Sequence, residues 1–266
     1  MMSWERSITL KTAHEIEIMR AAGKINAQAL AAARHAIRPG VTTADLDAAA
    51  AEVLRKHGAK PAFLGVPGAF PYPATTTISV NDEMVHGIPS KRKLVEGDIV
   101  SIDCGTILEG FVADSAISCG VGEISEQAQR LLAVTEKSLY IGIEKCHPGN
   151  RTGDIGHAIQ TYVEGEGYYL TREYTGHGVG RSMWEGPQVP NYGSAGRGVP
   201  LRAGMTLAIE PMVLIGTPRT VVLQDQWCVA SADGSLTGHF EHSLAITEAG
   251  PVILTLLEDD SESGRN

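Results

Sequence analysis

Apolar residues follow two rhythms along this chain, and the switches between them divide it into elements. From Thr12 to about Arg34 they recur three or four positions apart, at Ile18, Ala22, Ile25 and Ala29, which predicts a helix. Thr12 and Glu15 have the spacing of a capping box at its start. Pro39–Gly40 ends that region, and Thr42 or Thr43 caps a second helix carrying Leu46, Ala50, Val53 and Leu54, which stops near Gly58. The stretch from Gly65 to Pro73 mixes glycine, proline and aromatics and reads as a loop with Phe70 and Tyr72 exposed on it. Thr75 to Val80 is β-branched and strand-like, leading to His86–Gly87. From Ile99 to Ile117 two apolar strands flank a turn at Glu109–Gly110. Ser125 then caps a long helix with Leu131, Leu132, Leu139 and Ile143 turned inward. Thr206 to Met212 reads as one strand, and His239–Phe240–Glu241–His242 enters the last one.

The pattern repeats. Pro39, Gly40, Thr43, Asp45 and Leu46 recur as Pro148, Gly149, Thr152, Asp154 and Ile155, all at an offset of 109. Each set follows a long helix and precedes an apolar helical face, Ala50 and Val53 in one case, Ile159 and Val163 in the other. Five positions at one offset in equivalent contexts point to two related halves about a pseudo-twofold axis. A site in such a molecule lies naturally between the halves.

Polar exceptions inside the apolar strands carry the chemistry. Asp103 and Asp114 stand where the pattern wants apolar residues. Across a loop of even length, paired residues have numbers that sum to an odd value, as these two do, so both acids then point to one face. Two bare carboxylates that close repel each other unless a cation sits between them. The second half adds His177, flanked by Gly176 and Gly178, and one acid in each of two apolar strands, Glu210 and Glu241. Four acids and one imidazole form an oxygen-rich set large enough for two divalent ions.

Composition narrows the setting. With 266 residues and a net charge of −9, the chain has room for a substantial core and lacks the basic balance of a protein that holds nucleic acid by bulk charge. The first thirty residues hold no continuous apolar stretch of the signal-peptide kind, and no run approaches a membrane span, so a cytoplasmic setting is expected. Cys104, Cys119, Cys146 and Cys228 have no ligand or disulfide spacing and read as reduced thiols, with Cys104 a packing residue facing away from Asp103.

These residues also resemble a known family. The order Asp103, Asp114, Gly-His177-Gly, Glu210, Glu241 is similar to that of the methionine aminopeptidases, within the pita-bread group that includes prolidase and aminopeptidase P. The strings SVNDEMVHGIPS, VSIDCGTILEGFVAD, TGHGVG, TLAIEPM and GHFEHSLAIT carry the likeness over nearly the whole chain. The short spacing from His177 to Glu210 resembles the compact type 1 enzymes. The resemblance implies an α+β pita-bread fold, an antiparallel sheet covered by helices, with one catalytic domain over 1–258. Its internal halves would run from about 12 to 124 and from 125 to 258, followed by a disordered tail over 259–266.

By the same resemblance, Asp103, Asp114, His177, Glu210 and Glu241 hold two divalent ions, with Asp114 and Glu241 bridging. Co, Mn, Fe, Zn and Ni all suit such ligands. Glu210, His86 and His177 are the implied catalytic residues, Glu210 shuttling a proton and His86 contacting substrate. Tyr72, Phe70, Trp227, Met212, Thr77, His86 and Trp184 are the implied substrate-binding residues. The implied activity is removal of the initiator methionine from nascent polypeptides with a small second residue. The ribosome is the implied meeting place, and a monomer the expected state. Cleavage before proline, or a non-catalytic binding module of the same fold, are the alternatives. Three positions depart from the family: Trp184 stands where a second histidine is usual, His239 where relatives often have Gln, and Thr77 where a pocket Cys is frequent.

Overall fold

The computed structural model describes residues 8–257; the expected tail lies outside them. Four helices occur among these residues: α1 (Ala13–Ala36), α2 (Thr43–Lys56), α3 (Glu126–Ile143) and α4 (Thr152–Gly165). The first-half strands are β1 (Lys60–Pro61), β2 (Thr76–Val80), β3 (Glu83–Val85), β4 (Ile99–Leu108) and β5 (Phe111–Gly120). After α4 come β6 (Tyr169–Leu170), β7 (Gly176–Gly178), β8 (Glu185–Val189), β9 (Thr206–Ile209) and β10 (Met212–Leu214). The chain closes with β11 (Thr220–Val222), β12 (Val229–Ser231), β13 (Thr237–His239), β14 (Glu241–Thr247) and β15 (Gly250–Ile253).

A nine-stranded antiparallel sheet runs β1-β4-β5-β14-β9-β7-β8, with β2 also on β4 and β15 on β14. At its centre β5 pairs with β14; outward from that seam β4 and β2 on one side answer β9 and β7 on the other. The expected two-part α+β architecture is therefore present. The repeat is visible in the helices: α2 and α4 each have 14 residues, and both ends of α4 are those of α2 shifted by 109. Leu46, Ala50 and Leu54 are buried on α2 where Ile155, Ile159 and Val163 are buried on α4. Val53, expected on that face, is only half-buried, and Leu54 one step on takes the inward place.

Strand alternation sorts the chemistry from the packing. Val100, Ile102 and Cys104 of β4 face α1 and α2, joining Ala29, Leu46 and Ala50 in one core. Leu207, Ile209, Leu244 and Ile246 face α3 and α4, joining Leu131, Leu139, Ile155 and Ile159 in another. The helices thus cover one side of the sheet, and the residues of opposite parity point to the other. Burying apolar area of this kind is worth roughly 25 cal/mol per Å². Asn26 pins α1 to the hairpin: its amide donates to the carbonyls of Cys104 and Ala113 and its oxygen accepts from Ser115 Oγ.

Two expectations need correction. Thr206–Met212 is not one strand: β9 ends at Ile209 and β10 begins at Met212 in a separate sheet with β13 and β6. Pro211 has no N–H for a ladder, so pairing stops there. The partner strand breaks at the same level, between β13 and β14 at Phe240. Tyr72 is not exposed but only 2% accessible, its hydroxyl donating to the carbonyls of Thr76 and Gly87. Phe70, 40% accessible, does sit on the surface.

Candidate metal centre

The hairpin sets the first two ligands. Leu108 pairs with Phe111 around a two-residue turn whose Glu109 and Gly110 both have positive φ, 49° and 79°. That turn matches strand twist, and glycine enters its second position at no steric cost. The register then puts Asp103 opposite Ala116 and Asp114 opposite Gly105, so the acids are diagonal neighbours on one face. Glu241 also pairs with Ala116, which places Asp103, Ala116 and Glu241 in a single row across three strands. On the other side of the seam His177 pairs with Ala208, and Glu210 follows two positions later on the same side of the strand. The small side chains of Ala116 and Ala208 lie between the functional groups and leave them room.

Glycines explain how His177 is held. A Cβ at Gly176 would lie 2.5 Å from the Ala208 carbonyl oxygen, and one at Gly178 only 2.1 Å from that of Gly186. Only glycine lets β7 lie so tightly between its neighbours. His177 Nδ1 donates to the Gly178 carbonyl at 2.9 Å. Nε2 is then the lone-pair nitrogen, and it faces Glu210 Oε1 at 3.4 Å and Asp114 Oδ2 at 4.0 Å. Ser243 braces Asp114, its hydroxyl accepting from the Asp114 N–H and donating to the Asp114 carbonyl.

The electrostatics are those of a site built for a cation. Asp103 Oδ1, Asp114 Oδ1 and Glu241 Oε1 are buried with no hydrogen-bond partner. Burial raises the Asp103 carboxyl well above its usual range, helped by the charges of Asp114 and Glu210. Burial pushes Asp114 up to about 7. Glu210 is raised by burial and by Asp114, and Glu241 by burial and the other three acids. Burial lowers His177 to about 4, so it is neutral at physiological pH and its lone pair is free to ligate. Two ligand atoms on one small divalent ion stand no more than about 4.2 Å apart, twice a metal–ligand distance of about 2.1 Å. The His177 distances to Asp114 and Glu210 meet that limit. Donor atoms of Asp114, His177 and Glu241 all lie within 4.8 Å of one another, as do those of Asp103, His239 and Glu241. The residues present fit divalent metal.

The profile of metallopeptidase family M24 matches residues 17–248. The chain belongs to this family. A methionine aminopeptidase of Clostridium perfringens is 49% identical over 251 residues, 94% of this chain and 100% of that one. The crystal structure of methionine aminopeptidase from Thermotoga maritima matches with a TM-score of 0.90 at 48% identity, over 93% of this chain and 99% of that one. The prolidase of Pyrococcus horikoshii has the same fold at a TM-score of 0.76 and 25% identity, over 96% of this M24 chain but 65% of the prolidase.

In this M24 peptidase the acids and His177 open into a cavity of about 230 Å³. Of the residues the resemblance implied for substrate binding, His86, Met212 and Trp184 line it. Phe70, Tyr72, Thr77 and Trp227 do not. The aromatics among them form a row behind its wall, with rings of Phe63 and Tyr72 6.5 Å apart, Tyr72 and Trp227 5.1 Å, and Trp227 and Phe70 6.3 Å. Phe63 is the member that reaches the cavity, and Thr77 is buried opposite Asp103 on β2. His86 has a positive φ of 63° and meets the Tyr174 ring edge-on at 5.8 Å. Burial lowers its pKa to about 4. Trp184 is half exposed at the mouth, 6.5 Å from the His177 ring. The lining residues not foreseen from sequence are Phe63, Val85, Tyr174, Thr175, Gln188 and His239. A signal existed for His239, which lies in the same string as Glu241.

Proposed function

We propose that this M24 peptidase removes the N-terminal methionine from nascent polypeptides by metal-dependent hydrolysis. The observation that supports it most is the meeting of Asp103, Asp114, Glu210 and Glu241 with His177 on one face of the sheet, lining one cavity, with a buried oxygen of Asp103, Asp114 and Glu241 each unpartnered. Asp103, Asp114, His177, Glu210 and Glu241 would hold two divalent ions. Bound there, such ions lower the pKa of water and polarise a carbonyl.

The chain's own residues then have separate tasks. Glu210 takes a proton and returns it to the leaving amine, a task its place in the cavity beside His177 allows. His86 is neutral and donates from its ring to the substrate beside the reacting carbonyl. Phe63, Val85, Tyr174 and Met212 give the methionine side chain an apolar, polarisable surface. Trp184 flanks the mouth, where the second residue leaves the cavity, so a small one fits best. No helix among the described residues is long and apolar enough to cross a membrane. We place the activity on nascent chains in the cytoplasm, with the protein acting as a monomer.

The test is hydrolysis of Met-Gly-type against Xaa-Pro peptides by chelated and metal-restored protein. Release of methionine that stops with chelation and returns with Co, Mn, Fe, Zn or Ni supports the assignment. Cleavage of Xaa-Pro peptides alone, or turnover undiminished after complete chelation, overturns it.

A further inference from the structure

Besides His177 and the substrate-facing His86, the cleft contains a third imidazole that the five-ligand set leaves unused. His239 ends β13, one residue before the corner at Phe240, and is 2% accessible. It lines the cavity, and its Nε2 faces Glu241 Oε2 at 4.0 Å. Donor atoms of Asp103, His239 and Glu241 lie within 4.8 Å of one another. Asp103 Oδ1 and Glu241 Oε1 are among the buried oxygens with no partner. The His239 ring Nδ1 closes no well-formed hydrogen bond among the described residues. Ser118 Oγ holds the backbone of His239, accepting from its N–H at 3.0 Å and donating to its carbonyl at 2.7 Å. Nδ1 lies toward the Pro211 carbonyl.

His177 shows what such a placement means. It too turns one nitrogen to a backbone carbonyl and the other toward carboxylates. The two imidazoles belong to different donor groups, one with Asp103 and one with Asp114, and Glu241 belongs to both. A neutral nitrogen facing a carboxylate at 4.0 Å is too far for a hydrogen bond and within the span two ligands of one ion require.

We infer that His239 is a sixth ligand of the centre, giving the ion held by Asp103 and Glu241 an imidazole of its own. The inference rests on reading the cleft as a metal centre. Its consequence is selectivity. A position walled only by carboxylates suits Mn as well as softer ions, whereas an imidazole there favours Zn, Ni, Fe and Co.

The experiment is calorimetric titration of the chelator-stripped full-length protein with Zn and with Mn, in wild type, His239→Gln and His239→Ala. Loss of the ligand is expected to weaken the more weakly bound Zn by at least about tenfold, while Mn changes by less than about threefold. In the Co-loaded protein, proton NMR is expected to show hyperfine-shifted ring protons from two imidazoles. One set should vanish in His239→Gln and the other in His177→Asn. Two Zn bound with wild-type affinity in both His239 variants, with ring signals unchanged, overturns the inference and leaves the centre standing. Equal weakening of Zn and Mn with unchanged ring signals makes His239 structural and also overturns it. A wild type that takes up no Zn removes the underlying reading as well.

Discussion

The two halves of this molecule agree where they hold the fold and differ where they do chemistry. Helices α2 and α4 match in length and in both ends at one offset and bury corresponding apolar positions. Even the turn before each is alike, with Gly40 and Gly149 at φ of 90° and 96°. The strands that follow diverge. In the first half, β4 and β5 are joined by two residues and contribute only carboxylates, Asp103 and Asp114. In the second, β9 and β14 are separated by the excursion through β10, β11, β12 and β13, and the corner so formed carries Glu210, Glu241 and His239. His177 comes from β7, the strand that answers β2. A repeated scaffold supplies rigidity. The chemistry depends on the departure from repetition, because a corner brings side chains of two sheets into one cleft.

The strongest way to break this comparison is to remove one acid from each half. Asp103→Asn and Glu241→Gln should each lower turnover of a Met-peptide by about a thousandfold, since metal chemistry supplies several kcal/mol of barrier lowering. Circular dichroism should show the fold retained. Full activity in either variant would contradict the shared cleft.

Stability against pH tests the same point without turnover. A carboxyl with a raised pKa favours the fold while protonated, and the advantage is lost as pH rises through its folded value. For Asp114, near 7 in the fold, one pKa unit is worth 1.36 kcal/mol, so ionisation without metal costs on the order of 4 kcal/mol. The imidazoles of His86, His177, His239 and His242, all lowered to about 4 by desolvation, work in the opposite sense below about pH 6.5, where the unfolded chain protonates them. Above pH 6.5 the acids act alone. The Tm of chelator-treated protein should fall from pH 6.5 to 8, and added divalent metal should reverse the fall. A Tm that rises over that range contradicts the assignment.

The likeness of the halves is sharpened by Leu46→Ala and Ile155→Ala, which cut equivalent buried positions and should each cost about 3 kcal/mol in denaturant unfolding. Costs that differ by several kcal/mol would show that the repeat is one of shape and not of stability. The smallest effect belongs to the mouth. Trp184→Ala should narrow the preference for a small over a bulky second residue about tenfold, read as a ratio of kcat/KM values.

The hairpin was legible in the sequence because a two-residue turn leaves one register, and register decides which face Asp103 and Asp114 share. Helix ends were legible because caps and Pro-Gly pairs act locally. The break at Pro211 was signalled by a residue without an N–H, but its meaning depends on β13 and β14 breaking at the same level, a tertiary fact. Tyr72 reads as a loop residue until Trp227, far along the chain, packs against it. The cavity wall was hidden for a like reason: Phe63, Tyr174 and Val85 come from three separate segments with no shared pattern. His239 was visible as a departure from the family but not as a neighbour of Asp103, because that contact crosses the seam between the halves.

The central claim is that acids from both halves, with His177, close on divalent metal. Diffraction from crystals soaked in Mn or Zn, collected at the metal's absorption edge, addresses it most directly. The account predicts two anomalous peaks a few ångströms apart, flanked by Asp103, Asp114, His177, Glu210 and Glu241. Peaks elsewhere on the molecule, with this cleft empty at saturating metal, would contradict it.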